Sequence, residues 1–202
     1  MIKVDINENY DYMSRKTAEF ITDSVNKKPE SLICFPAGDS PVGTLKYLIG
    51  YSKAGMVSFD KCRFVGLDEW VGMGKEDNGS CKQFLYGNFF EPLGIREDRI
   101  CFFDACSEDL DAECKKVDRY IFENGPIDLA MLGIGMNGHI GLNEPGVSME
   151  LYSHVMEIDS VTKIVGQKYF EKETKLEKGI SLGMKHIMEA KTVILLANGA
   201  KK

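Results

Sequence analysis

The sequence contains little of what would build a metal site or a disulfide framework. It has only three histidines in 202 residues, and none of them forms a pair at a metal-binding spacing. Its six cysteines are scattered along the chain and include no C-x-x-C pair. We therefore interpret the cysteines as reduced thiols and expect no metal.

The sequence also lacks a basic excess and long apolar runs. Its formal net charge of -6 argues against a partner such as nucleic acid or an anionic membrane, which would require a basic face. No apolar run could span a bilayer, and the start MIKVDINENY lacks the order of a signal peptide. These absences predict a cytoplasmic protein. A small anionic ligand stays compatible, because backbone N–H groups and one or two cations can bind a phosphate.

What the sequence does contain is typical of one folded domain over residues 1–202. Hydrophobic residues make up 44% and charged residues 28%, with no low-complexity tract, repeat or linker. Continuous apolar segments, typical of buried strands, alternate with amphipathic helical segments. The predicted strands are 31–35, 62–67, 99–103, 127–132 and 192–197. This alternation predicts an α/β fold, with a mostly parallel sheet covered by helices on both faces.

The last predicted strand is followed only by the five residues NGAKK. In such a layout a covering helix, and often an edge strand, is expected to come next. We therefore expect the sequence to be a fragment that lacks its C-terminal helix and strand.

Four unusual segments follow predicted strands: PAGDSP, LDEW, GIGMNGHIGLNEPG and NGAKK. Ligands of open α/β sheets bind beyond the carboxyl ends of the strands, so we expect these segments to converge on one site. PAGDSP places small residues at a strand-to-helix turn, which can offer N–H groups to a phosphate. Asp39 argues against this use unless it binds a sugar hydroxyl or points away.

The run GIGMNG has the G-x-G-x-x-G spacing of a dinucleotide fingerprint, and Asp159 lies about the right distance beyond it. The fingerprint requires a helix to open at its third glycine. Here Gly141, Asn143 and the pair Pro145-Gly146 break any such helix, and the run follows a late strand. We therefore reject a dinucleotide site.

Two pairs of residues in these loops each have two possible interpretations. His139 and Glu144 form either a proton-transfer pair suited to neutral pH or a tight turn with local hydrogen bonds. Asp68 and Glu69 either cap the following helix, or Asp68 is a general base whose pKa is raised by apolar neighbours.

Together the segments FPAGDSPVGT, GLDEWVG, DLDAEC, GIGMNGHIGLNEPG and GISLGMKHIMEAKTVILL resemble the glucosamine-6-phosphate deaminase and isomerase family. The resemblance runs from about residue 15 to the end, and NGHIGLNEPG is its most specific motif. It implies a modified doubly wound, Rossmann-like fold. It also implies isomerisation and deamination of a 2-amino-2-deoxyhexose 6-phosphate, with glucosamine 6-phosphate giving fructose 6-phosphate and ammonia. No cofactor is implied, because the substrate's own amine and carbonyl carry the electron flow.

The resemblance also implies catalytic roles. Asp68 would move a proton between C2 and C1 of the opened sugar, His139 would open the ring, and Glu144 would orient His139. Asn137 occupies a position that is aspartate in some members. Because an amide cannot ionise, it would only orient His139 by hydrogen bonding.

A second set of residues is implied to bind the substrate and its phosphate. These residues are Ala37, Gly38, Asp39, Ser40, Lys168 and Lys202. The family loop commonly reads T-G-G-T-P, so Ala37 removes a hydroxyl and Asp39 adds a charge. Lys168 matches a phosphate-binding arginine, and lysine lacks the bidentate fork of arginine. These departures bear on substrate identity more than on reaction class.

Three alternatives remain open at this stage. The first is a galactosamine-6-phosphate isomerase that yields tagatose 6-phosphate. The segments LDEW and LGIREDRI resemble that subgroup closely. The second is a 6-phosphogluconolactonase-like hydrolase, and the third is a non-catalytic sugar-phosphate sensor. Allosteric regulation is not carried over from the family. The oligomeric state is open, with a homo-oligomer as one alternative.

Overall fold

The computed structural model describes residues 2–199, in which strands and helices alternate. The strands are β1 (Leu32–Phe35), β2 (Arg63–Gly66), β3 (Asp68–Trp70), β4 (Ile100–Cys101), β5 (Leu129–Gly133), β6 (His154–Glu157), β7 (Lys178–Ser181) and β8 (Val193–Leu196). The α-helices are α1 (Tyr10–Lys27), α2 (Val42–Lys53), α3 (Cys81–Leu85), α4 (Glu91–Leu93), α5 (Leu110–Asn124), α6 (Ser160–Gly166) and α7 (Met184–Glu189). A π-helix (Tyr86–Phe90) joins α3 to α4, and 3₁₀ turns cover Glu97–Arg99 and Gln167–Tyr169.

Five strands form a parallel sheet in the order β4-β2-β1-β5-β8. The chain builds outward from β1 through β2 to β4, then crosses back to β5 on the other side of β1. The strand order therefore reverses between β1 and β5, and a crevice opens at the carboxyl ends of those two strands. This architecture confirms the predicted doubly wound α/β fold.

Alternate residues of the sheet face two separate hydrophobic cores. Ile33 and Phe35 of β1 pack in a core with α1, α2 and the π-helix. Leu32 and Cys34, one residue out of phase, pack in a second core with α5 and α7. Because strand side chains alternate between faces, a fully apolar strand indicates helices on both sides, as the sequence predicted.

A second, three-stranded antiparallel sheet in the order β3-β7-β6 was not predicted from the sequence. We expected Asp68–Trp70 to end a strand, but these residues form β3, which only Leu67 separates from β2. The strand changes partner there: Asp68 pairs with Ser181 of β7, and the N–H of Leu182 donates to the carbonyl of Leu67 at 2.8 Å. The pairing of β3 with β7, which local sequence patterns do not reveal, therefore sets the direction in which the side chains of Asp68 and Glu69 point.

No helix among residues 2–199 combines the length and the apolar character that crossing a bilayer requires.

Phe89 of the π-helix lies at the centre of a cluster of phenylalanines. Its ring centroid lies 5.1 Å from that of Phe35, 5.2 Å from Phe59 and 5.6 Å from Phe64, in edge-on arrangements that aromatic rings prefer. Phe89 is fully buried. The cluster therefore fastens the segment that follows α3 to the sheet.

Phe89→Ala should lower the free energy of unfolding by about 3–5 kcal/mol, because it removes buried area and leaves a cavity. Urea titration followed by circular dichroism measures this change. Phe20→Ala is the matched control, since Phe20 lies half exposed on α1. Equal losses in the two variants would contradict the central position of Phe89.

Candidate active site

A pocket of about 680 Å³ opens at the carboxyl end of the parallel sheet. It lies beyond the carboxyl ends of β1 and β5, and the segments after β1, β2, β5 and β8 all line it. The convergence predicted from the sequence therefore occurs. Of the predicted site residues, those that line the pocket are Ala37, Gly38, Asp39, Ser40, Asp68, His139 and Lys168. Lys202 lies outside the described residues.

The two adjacent acids of β3 face different surroundings, because neighbouring strand residues point to opposite sides. Glu69 is 1% exposed, and no cation contacts it among residues 2–199. Four donors satisfy its carboxylate: the N–H groups of Trp70 (2.9 Å), Cys81 (3.0 Å) and Lys82 (2.9 Å) and the hydroxyl of Ser80 (2.6 Å). Glu69 thus caps α3, which is the structural interpretation considered for this pair.

Asp68 is also buried, but it lines the pocket. The pKa of Asp68 is raised to about 7, chiefly by burial and to a smaller extent by the nearby Glu69 carboxylate, while a hydrogen bond with the Cys81 thiol acts in the opposite direction. The pair therefore separates into a capping acid and a carboxyl group that can exchange protons near neutral pH.

The His139 ring is held on one side by two hydrogen-bond partners. Its Nδ1 lies 2.7 Å from Oδ1 of Asn137 and 3.0 Å from the hydroxyl of Thr162. An amide oxygen only accepts, so Nδ1 carries the ring proton that it shares with Asn137. In the neutral ring, Nε2 is then the nitrogen that can accept a proton.

Glu144 determines how the Asn137 amide is turned. Its Oε2 accepts from Nδ2 of Asn137 at 2.9 Å, which leaves the amide oxygen for His139. The Glu144 carboxylate lies 3.8 Å from Nδ1 of His139, beyond hydrogen-bond distance. The expectation that Glu144 orients His139 therefore needs refinement. Glu144 contacts Asn137, and Asn137 contacts the ring.

The glycines of GIGMNG make room for the imidazole. A Cβ on Gly135 would overlap the ring of His139, so only glycine fits beneath it. No helix opens at Gly138, and Ile140 and Asn143 form an isolated β-bridge shortly after it. This agrees with rejecting a dinucleotide site.

The loop after β1 has the form of an anion cradle. Gly38 has φ +94°, a conformation that favours glycine, and the Tyr169 hydroxyl approaches it closely. The N–H groups of Gly38 and Asp39 have no partner within residues 2–199. The hydroxyl of Ser40 donates to Oδ1 of Asn198 at 3.3 Å, which joins this loop to the end of β8.

Sequence reasoning missed several residues of this site. Thr162 contacts His139, Cys81 contacts Asp68, and Tyr169 covers Gly38. One local signal was available: Asp159-Ser160 is typical of a helix start, and Asp159 caps α6, the helix that carries Thr162. Nothing local pointed to Cys81 or Tyr169.

Comparison with known proteins gives consistent results. A family model described as glucosamine-6-phosphate isomerases/6-phosphogluconolactonase matches residues 5–202. A glucosamine-6-phosphate deaminase of Thermoanaerobacter sp. (strain X514) is 36% identical over 202 residues, which span 100% of this chain and 80% of the relative. That of Clostridium botulinum (strain Loch Maree / Type A3) is also 36% identical, over 100% of this chain and 83% of the relative.

Solved structures agree with these matches. One described as a monomeric glucosamine-6-phosphate deaminase superposes with a TM-score of 0.96 at 30% identity, covering 100% of this chain and 84% of that one. A 6-phosphogluconolactonase of Thermotoga maritima superposes with a TM-score of 0.75 at 14% identity, over 100% and 85% of the two chains. The second similarity concerns the fold alone.

Gly135→Ala should displace the His139 ring and break its hydrogen bonds, at a cost of about 1–3 kcal/mol in unfolding free energy. Nitrogen-15 NMR of the imidazole, with thermal unfolding, measures both effects. Gly50→Ala is the control, because a Cβ there meets nothing within 4 Å. An unchanged His139 ring signal in Gly135→Ala would refute the steric argument.

Asp68→Asn should stabilise the protein, and more so as pH rises. A carboxyl group whose pKa is raised on folding favours the folded state at low pH and loses that contribution as pH rises from about 4 to about 7. Above that range the variant should exceed the wild type by as much as about 4 kcal/mol in unfolding free energy. Urea titrations at several pH values measure the gap. A gap independent of pH would contradict the raised pKa.

Proposed function

This chain belongs to the family of glucosamine-6-phosphate isomerases and 6-phosphogluconolactonases, and from that premise we propose that it converts glucosamine 6-phosphate and water to fructose 6-phosphate and ammonia. One structural observation on this chain supports the proposal independently of its relatives. Asp68, a buried carboxyl group with a pKa of about 7, lines the same pocket as His139 and the loop of Gly38.

His139 opens the pyranose ring in this proposal. Its Nε2 takes the proton of the C1 hydroxyl and returns a proton to the ring oxygen as the C1–O5 bond breaks. Asn137 and Glu144 keep the ring proton on Nδ1, so that in the neutral ring the basic lone pair lies on Nε2. Thr162 supports the same ring orientation.

Asp68 then removes the proton from C2 of the open-chain aldehyde. The electrons of the C–H bond form the C1=C2 bond of an enolamine while the substrate's ammonium group passes a proton to O1. The same carboxyl group then delivers the C2 proton to C1, which leaves a protonated imine at C2. A base of pKa about 7 suits this transfer, because it is partly ionised at neutral pH yet far more basic than an exposed carboxylate. The product is the C2 imine of fructose 6-phosphate. Water adds to this imine, and cleavage of the C–N bond releases ammonia.

The substrate phosphate binds at the loop Ala37–Ser40. The N–H groups of Gly38 and Asp39 and the N-terminus of α2 provide donors and a favourable dipole there. Lys168 supplies a positive charge, and Lys202 is proposed as a second.

Six unpaired cysteines fit a reducing compartment, so we place the reaction in the cytoplasm. The homo-oligomer stays a prediction.

The reaction is tested by incubating the protein with glucosamine 6-phosphate and measuring both ammonia and fructose 6-phosphate. Asp68→Asn should lower kcat at least about a thousandfold, because an amide cannot accept the C2 proton. The kcat/KM of the wild type should rise with pH through about 7 as Asp68 ionises. Asp60→Asn, at an exposed position outside the pocket, is the control variant.

Other outcomes identify the alternatives. Faster ammonia release from galactosamine 6-phosphate would indicate the epimer and tagatose 6-phosphate as product. Hydrolysis of 6-phosphogluconolactone without ammonia from either amino sugar would indicate a lactonase. Binding without turnover, unaffected by Asp68→Asn, would indicate a sensor.

A further inference from the structure

An ion pair joins two walls of the pocket at its mouth. Nζ of Lys168, on the 3₁₀ turn Gln167–Tyr169, donates to Oδ2 of Asp39 at 2.5 Å. Asp39 lies on the loop after β1, 129 residues earlier in the chain. Both side chains are accessible to solvent, 71% for Asp39 and 47% for Lys168. The pair is therefore reachable by an incoming ligand.

This ion pair creates an electrostatic problem for an anionic substrate. Among the described residues that line the pocket, Lys168 is the only lysine or arginine, and its charge is offset by Asp39. The acid Asp68 lines the same pocket. A phosphate monoester carries about -1.5 to -2 charges and three strong acceptor oxygens. If the Asp39 carboxylate stayed in place, it would repel that group beside the N–H donors of its own loop.

We propose that Asp39 is an internal competitor of the substrate phosphate: its carboxylate occupies, at Lys168, the position of that phosphate, and the phosphate displaces it on binding. This inference rests on the proposed function. An exposed ion pair is weak. A phosphate that also accepts hydrogen bonds from the N–H groups of Gly38 and Asp39 can therefore replace the Asp39 carboxylate at Lys168. A sugar without phosphate leaves the pair intact and gains no contact with Lys168. Asp39 thus lowers affinity only for ligands that bind through Lys168, and a strongly anionic group is needed to displace it.

The test removes the competing charge with little change of shape. Asp39→Asn should lower the dissociation constant of inorganic phosphate, measured by calorimetry, and the KM for glucosamine 6-phosphate, each by about three- to tenfold. Affinity for unphosphorylated glucosamine should not change. Asp60→Asn makes the same change of net charge on an exposed loop at the amino end of β2 and should shift neither constant.

A double-mutant cycle shows whether the effect passes through Lys168. Lys168→Gln should weaken phosphate binding about tenfold, and adding Asp39→Asn to it should recover less than twofold. The inference is overturned if Asp39→Asn leaves phosphate affinity unchanged or weakens it, if Asp60→Asn gives an equal gain, or if the gain persists without Lys168. Circular dichroism establishes that each variant is folded.

Calorimetry with phosphate separates this inference from the proposed function, because it requires no turnover. If the wild type releases no ammonia but Asp39→Asn still binds phosphate more tightly, the proposed reaction fails and the competition at Lys168 stands. If ammonia is released and phosphate affinity is unchanged, the reverse holds.

Discussion

The carboxylate of Glu69 is buried with four hydrogen-bond donors and, among residues 2–199, no cation in contact with it, and the geometry of the site depends on it. Those donors come from β3 and from the start of α3, so the carboxylate joins these two segments. A buried charge is tolerated only when it is fully hydrogen-bonded, which makes this arrangement intolerant of movement. Cys81 is thereby held against Asp68, on the pocket side of the same strand.

Holding two carboxyl groups side by side in a poorly solvated place costs stability. Burial and the charge of Glu69 both favour the protonated form of Asp68. Burial and the charge of Glu69 also make Asp68 a stronger base than an exposed aspartate. The basicity of Asp68 therefore comes with a lower free energy of unfolding. The phenylalanine cluster around Phe89 lies next to this region in the chain and anchors it to the sheet.

The other half of the site is organised by a hydrogen-bonded relay. Glu144 orients Asn137, Asn137 places the proton on Nδ1 of His139, and Gly135 leaves space for the ring. The neutral Asn137 serves both neighbours of this relay, because an amide can donate on one side and accept on the other. The relay therefore fixes which ring nitrogen acts as the base, without a carboxylate hydrogen-bonded to the imidazole itself.

The sequence by itself determined the five strands of the parallel sheet and their order along the chain, both covered faces of that sheet, and the loops that carry Asp68 and His139. These features are local, because apolar periodicity and turn chemistry act over a few residues. The tertiary structure decided the antiparallel second sheet, the separate roles of Asp68 and Glu69, and the pairing of Asp39 with Lys168. Each depends on contacts between distant segments. Alternation places Asp68 and Glu69 on opposite sides, but only the pairing of β3 with β7 decides which one faces the pocket.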